Sequence, residues 1–494
     1  YTGTYSGTYD SSKYQFNMGG TASVTIGGMS GLSVTLGQSS TVNGVTKTTP
    51  GLIIVNGKLE VIDMTVNAGF SVGDVKFGVK DLQFIYQNTS QISKSESRTT
   101  GVVFTGPYDT SMTYDTSKFE FSMAGTGYVT LGGTAGLSVT FGHTNKVTGA
   151  KTPGLILVNG NLEAIDVTIN ANFMVGDVTF GVDDIQFTYQ NMSQLPAGTN
   201  YIAGTVFTGT YDTSKSYNAN NYQFSMAGTA FVAVGGTAGL SVSFGHTNKT
   251  TGVVTPGLVI RSGNLESLDV TVNANFEVGK LVFAVDDLKF TYQNMSQLPA
   301  GYNYIAGTVF TGTYDTSKQY NANNFTFSMS GSASVAIGTT MNLGVTFGHT
   351  NKSTGSVTPG LILRNGNLQS IDVTVNGAFT VYGITFGADD LKFTYQNMSQ
   401  LPPGTLYVPG TVYTDMYDLS RPYNANIYTF GMSGSVFVTV GEALTMTATF
   451  GRTEKDGSVT PGLVIRDGQF VSLDVTVRAP FAVGGKTFGD TLLN

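Results

Sequence analysis

The sequence predicts an all-β protein of five tandem antiparallel β-sandwich domains, each about 103 residues, strung into an elongated rod. Three observations carry this expectation: a repeat of domain length, apolar residues that alternate with a period of two, and glycine-bearing turns between short runs. The chain spells "QFTYQNMSQLPAGTNYIAGTVFTGTYDTSK" from Gln186, and close variants return from Lys289 and Lys392. A catalytic site is needed once per chain, so repetition down to the loops points to length or copy number as what the protein supplies.

The repeat is measured on its "TPGL" turn. Pro50, Pro153, Pro256, Pro359 and Pro461 recur at spacings of 103, 103, 103 and 102 residues. Periods of roughly 20–50 residues indicate solenoids whose units cannot fold alone. A length of about 100 is that of a domain able to bury roughly 60–70% of its unfolded surface. The expected divisions are 1–92, 93–195, 196–298, 299–401 and 402–494, with breaks at Ser93, Pro196, Pro299 and Pro402. The fifth copy stops at "GDTLLN", where Leu493 aligns with Leu391, and so is expected to lack its last strand. Either the segment simply ends there, or a neighbouring molecule fills the slot with the N-terminal "YTGTYSGTY", which predicts copies joined head to tail; that stretch also aligns with "AGTVFTGTY" of the third copy, as a part of its own domain would.

The strands are read on the third copy. In "YQFSM", Tyr222, Phe224 and Met226 alternate with Gln223 and Ser225; in "LSVSF", Leu240, Val242 and Phe244 alternate with two serines. "LDVTVN" sets Leu268, Val270 and Val272 against Asp269, Thr271 and Asn273. "LVFAV" aligns Leu281, Phe283 and Val285, and "LKFTY" sets Leu288, Phe290 and Tyr292 against Lys289 and Thr291. Each run therefore has an apolar face expected to be buried and a polar face expected to be wet. "RSGN", from Arg261 to Asn264, reads as a tight hairpin. Seven to nine such strands per copy (a rough count) with turns at about 8–12-residue intervals predict two packed sheets. "NMSQLPAG" reads as a short, stiff linker between neighbours.

Composition narrows the function classes. There is no cysteine and no tryptophan, and charged residues make up 12%, about half the usual share. No disulfide framework, thiol nucleophile or thiolate metal site is available. A net charge of −7 without any basic run argues against nucleic acid and anionic membranes as partners. No apolar run is long enough for a membrane-spanning helix. Abundant Thr, Ser, Asn, Gly and Tyr fit an extracellular or cell-surface protein. The chain begins at Tyr1 rather than Met, which implies a removed leader or a piece of something longer.

Few residues carry chemistry. His143, His246 and His349 share one repeat position, where the other copies have Gln38 and Arg452; they read as solvated loop residues. The "YD" aspartates Asp10, Asp109, Asp212, Asp315 and Asp418 are the candidate calcium ligands, since Ca²⁺ takes carboxylate and carbonyl oxygens. Asx turns account for them equally well. A second acidic position recurs mid-strand as Asp63, Asp166, Asp269, Asp372 and Asp474. Adjacent pairs (Asp183–Asp184, Asp286–Asp287 and Asp389–Asp390) mark three copies, with Lys80–Asp81 in the first. Asn88, Asn191, Asn294 and Asn397 form N-x-S sequons beside the linkers, and Asn248 and Asn351 form two more; all six are candidate glycosylation sites. No catalytic fingerprint is present, so an enzyme is not expected.

Tandem, cysteine-free, Thr/Gly/Val-rich sandwich repeats of this length resemble the extender regions of large bacterial surface adhesins. That resemblance covers the whole chain and implies a stalk holding a binding domain away from the cell, often stiffened by Ca²⁺ at domain junctions. The chain differs from the pattern in being only mildly acidic and in lacking a D-x-D junction motif. Two functions follow as expectations: a structural protein (adhesin stalk, filament, sheath or surface-layer subunit), or a multivalent module binding carbohydrate or a surface. The second would use the "D-T-N" face of "DVTVN" with nearby Tyr and Phe for stacking, and would gain avidity by linkage.

Overall fold

A computed structural model describes residues 8, 10–26, 29–42, 45–72, 74–131, 135–144, 151–175, 177–235, 238–247, 254–278, 280–338, 340–350, 357–441, 444–453, 459–483 and 486–488. Every regular element among them is a β-strand, and the pairings are antiparallel. Both proposed ends of the head-to-tail joint, residues 1–7 and 9 and residues 489–494, lie outside the described residues. Two compact units divide the chain, Tyr1–Gly228 with Ile260–Gly263, and Thr229–Val259 with Asn264–Asn494.

The second repeat, in the first unit, shows the plan. Phe119–Leu131 pairs through Gly125–Leu131 with Ala135–Phe141, and through Glu120–Met123 with Leu155–Val158. The two short strands thus lie end to end in one rank. Asn161–Val175 borders them both, and Val178–Asn191 completes a long hairpin with it. At the break in the rank, His143–Thr144 and Lys151–Thr152 form a small ladder of their own.

Local chemistry accounts for these joints. Asn159 and Gly160 both have positive φ, 51° and 81°, as a two-residue type I′ turn requires. The Asn159 Oδ1 also accepts the N–H of Phe119 at 3.1 Å, tying the turn to the neighbouring strand. The predicted "RSGN" hairpin has the same geometry at Ser262 and Gly263, 46° and 81°. Where the short strands meet, a Cβ on Gly142 would stand 1.9 Å from the Thr152 carbonyl, and one on Gly154 would stand 2.1 Å from the Gly142 nitrogen. Two backbones cross there with no room for a side chain.

Within each unit consecutive repeats share a sheet. In the first unit Val75–Asn88, the last strand of repeat one, pairs with Phe119–Leu131, the first of repeat two. In the second unit Leu281–Asn294 pairs with Phe325–Ile337, and Ile384–Asn397 with Tyr428–Val440. The strand pairing is therefore not that of a separate two-sheet sandwich in each repeat. What covers the sheet is the connection: residues 89–118, 192–221, 295–324 and 398–427 hold no strand. The divisions expected at Ser93, Pro196, Pro299 and Pro402 fall inside these segments. "NMSQLPAG" is not a free linker, since Leu195, Leu298 and Leu401 are buried. In repeat two the core is Ile156, Val158 and Ala164 from the sheet with Leu195, Tyr201 and Tyr211 from the connection, and Met192, Val206 and Phe207 pack against it.

This placement inverts the expected burial. In the third copy Gln223, Ser225, Asp269, Thr291 and Gln293 are at most 3% exposed, whereas Tyr222, Phe224, Met226, Val270, Val272, Phe290 and Tyr292 all keep partial exposure. The connection lands on the polar alternates. The apolar alternates face the other way and are shielded by one another, and Leu240 is 47% exposed. Alternation was legible in the sequence, but which face the chain itself covers was decided by the connection.

Candidate functional site

The recurrent polar residues gather at three places in and under the connection, and their use repeats from copy to copy except that Asp474 of the fifth is exposed. The first is the sequon asparagine at the end of a repeat's last strand. Asn191 donates from Nδ2 to the Asn218 carbonyl at 2.8 Å and accepts at Oδ1 from the Ser193 N–H (2.9 Å) and hydroxyl (2.5 Å). Asn88, Asn294 and Asn397 repeat this latch on Asp115, Asn321 and Asn424. All four are fully buried. A glycan on Nδ2 has no room in this fold, so these four sequons are Asx turns that pin the connection. Asn248 and Asn351 lie outside the described residues.

The "YD" aspartates hold the connection at its far side. The Oδ1 of Asp109 accepts the Ser111 N–H at 3.0 Å and its hydroxyl at 2.5 Å, and Asp10, Asp212, Asp315 and Asp418 do the same with Ser12, Ser214, Ser317 and Ser420. These hydrogen bonds, the serine hydroxyl's first, lower the carboxyl pKa in every copy. The Asp212 N–H donates to the Gln194 carbonyl at 2.8 Å, joining the turn to the start of the connection. Among the described residues no three His, Cys, Asp or Glu side chains stand together as a metal site.

The mid-strand aspartate is the third place. Asp63, Asp166, Asp269 and Asp372 are at most 3% exposed. The backbone of each bridges the gap between the two short strands: Gly142 N–H donates to Asp166 O, and Asp166 N–H donates to Gly154 O, both at 2.8 Å. Its carboxylate takes partners from two sides. Asp166 meets His143 Nδ1 and Gln186 Nε2, both at 2.7 Å. Asp63 meets Gln38 Nε2 at 3.2 Å and Gln83 Nε2 at 2.7 Å. Lys289 Nζ lies 3.1 Å from Asp269, and His349 and Lys392 lie 3.2 and 3.1 Å from Asp372. His143 and His349 thus bind a buried carboxylate while their own side chains stay half exposed, 48% and 54%. The signal was present in the sequence: Gln, His and Arg share a repeat position because each can donate to an acceptor. The Asp166 hydrogen bond raises the His143 pKa.

Sequence reading missed a buried acid. Glu60 and Glu163 are completely buried, and neither oxygen of either has a hydrogen-bond partner. Burial raises both to about 7, with Lys58 opposing the shift at Glu60. The fourth copy explains the position: Gln369 stands there and donates from Nε2 to Gln400 Oε1 at 2.9 Å. Gln91 and Gln194 occupy the Gln400 position, and their Oε1 atoms also lack partners. A protonated glutamic acid can donate where Gln369 does. Tyr108 and Tyr114 face Glu60, and Tyr211 and Tyr217 face Glu163; all four have their own pKa raised, burial being the largest cause.

The acidic pairs are bulges. The register slips between Ile169 and Ala171, opposite Asp183–Asp184, and Asp184 takes φ 48° with its N–H on Asn170 Oδ1 at 2.7 Å. Asp81, Asp287 and Asp390 repeat this on Asn67, Asn273 and Asn376. The imagined sugar site does not assemble. Asp166, Thr168 and Asn170 lie on one face of their strand, while the stacked rings of Phe173 and Phe180 belong to the apolar alternates.

No family model matches the chain, and no curated protein matches it. Among solved structures it is similar to a mutant of the ferric enterobactin receptor PfeA from Pseudomonas aeruginosa, at 9% identity and a TM-score of 0.17. That likeness covers 94% of this chain and 65% of the receptor.

Proposed function

We propose that the chain is an extracellular or cell-surface structural repeat protein, a stalk or a subunit of a filament, sheath or surface layer, and not an enzyme. The observation that carries this reading is the pairing of one repeat's last strand with the next repeat's first, over twelve residue pairs from Leu281–Asn294 to Phe325–Ile337. Each added copy then lengthens a sheet. The recurrent polar groups support it: the asparagine ties the connection to the sheet, the "YD" aspartate closes turns within the connection, and the mid-strand aspartate joins strands to one another. Immunogold labelling of intact source cells tests the location; label on unbroken cells is expected, and label only after permeabilisation overturns it.

The multivalent binding reading draws on a different feature. Stacked phenylalanine pairs, Phe70–Phe77, Phe173–Phe180, Phe276–Phe283 and Phe379–Phe386, recur at one repeat position with half-exposed rings. A glycan array hit lost on Phe379→Ala would favour it.

A further inference from the structure

Nothing among the described residues covers the apolar face. From Phe325 to Tyr395 the ladder residues on that face are Phe, Met, Gly, Ala, Val, Ile, Leu and Tyr, with no charge among them. None of these is fully buried, and Leu343 and Phe379 are 38% and 47% exposed.

The face is not flat. Phe379 and Phe386 stack at 5.2 Å between centroids. They wall a hollow of about 460 Å³ that Met341, Leu343, Val375, Gly377 and Ala388 also line. Two copies related by a two-fold axis can each present this contoured apolar face to the other, as an isologous interface requires.

We propose that this apolar face docks against the same face of a second copy of the chain, about 10 Å sheet to sheet. The second layer of the sandwich that each repeat's alternation predicts then comes from another molecule. The area suffices. Four ranks about 4.8 Å apart, each about 13 residues at roughly 3.3 Å, give roughly 800 Å² per repeat. A standard interface needs roughly that much per partner. A charge-free face also leaves a partner no ionic contact by which to be chosen, whereas the repeat spacing matches itself. This holds whether or not the chain is a cell-surface protein.

The test is light scattering of the full chain in detergent-free buffer from low to high micromolar concentration, with circular dichroism as the fold control. Dimers or larger species are expected. Leu343→Glu should raise the dissociation constant about tenfold or more, and Ser334→Glu, on the opposite face of the adjacent strand, should leave it unchanged. Should Leu343→Glu fail to fold, the neutral Leu343→Ser serves in its place. A wild-type monomer throughout, equal weakening by both substitutions, or a monomer that associates only with phosphatidylcholine vesicles would overturn the proposal; the last would assign the face to lipid.

Discussion

The two faces of one strand differ more than any two copies of the repeat do. On Phe325–Ile337, Ser328 is 1% exposed beneath the connection, while Phe327 and Met329 beside it remain partly open. The covered face carries polar groups, some joined by hydrogen bonds such as the Thr291–Ser328 hydroxyl contact, together with buried aliphatics such as Ile362. The open face is apolar and has only side-by-side shielding. Burial in this protein thus follows where the connection can anchor, and it anchors on hydrogen-bonding side chains and on aliphatics such as Ile156 and Val158. Satisfied polar groups can line a core at little net cost, while the same groups left without partners cost about 1–3 kcal/mol each.

That contrast can be broken most severely where the short strands meet. Gly154→Ala places a Cβ 2.1 Å from a backbone nitrogen that cannot yield. A loss of more than about 3 kcal/mol is expected, read as a fall in urea midpoint. Next is the latch: Asn294→Ala strips partners from the Asn321 carbonyl and the Ser296 N–H, for a loss of about 2–3 kcal/mol. An unchanged midpoint for Asn294→Ala would mean that the connection holds without it.

The buried acids sharpen the comparison between copies. The Glu163 pKa rises from 4.5 to about 7 on folding, so the folded chain binds a proton that the unfolded chain releases over that range. Its contribution to stability is full below about pH 4.5, falls as pH rises, and levels off above about 7. Glu163→Gln copies Gln369 and should flatten that slope, gaining on the order of 1–2 kcal/mol at pH 8. Denaturation across pH 4–9 checks it, and parallel curves for wild type and variant would refute it. The smallest effect belongs to His143→Gln, which copies Gln38. Its raised pKa acts in the same direction, lost as pH climbs through the folded value, and about 0.5 kcal/mol is expected at pH 5.

Strand type, the "RSGN" turn and the repeat length were legible because each rests on local chemistry: period-two alternation, positive φ at Ser262 and Gly263, and a duplicated Pro-Gly. Pairing between repeats was not legible, because Asn294 facing Phe325 depends on a connection with no periodicity of its own. The latch asparagines looked like sequons because Asx turns and glycan acceptors both use N-x-S. Glu163 gave no signal as a buried acid, although Gln at the same position of the fourth copy hinted at a neutral site.

The central claim is that the chain buries its polar alternates and leaves its apolar ones open. The absence of cysteine allows a direct test with single thiols at Ser328→Cys and Leu343→Cys, on opposite faces of the fourth repeat. Labelling rates are measured in the folded protein at increasing dilution. The account predicts that Ser328→Cys stays unreactive at every concentration while Leu343→Cys reacts, and reacts faster on dilution. A reactive Ser328→Cys beside a Leu343→Cys that is inert at every dilution would contradict it.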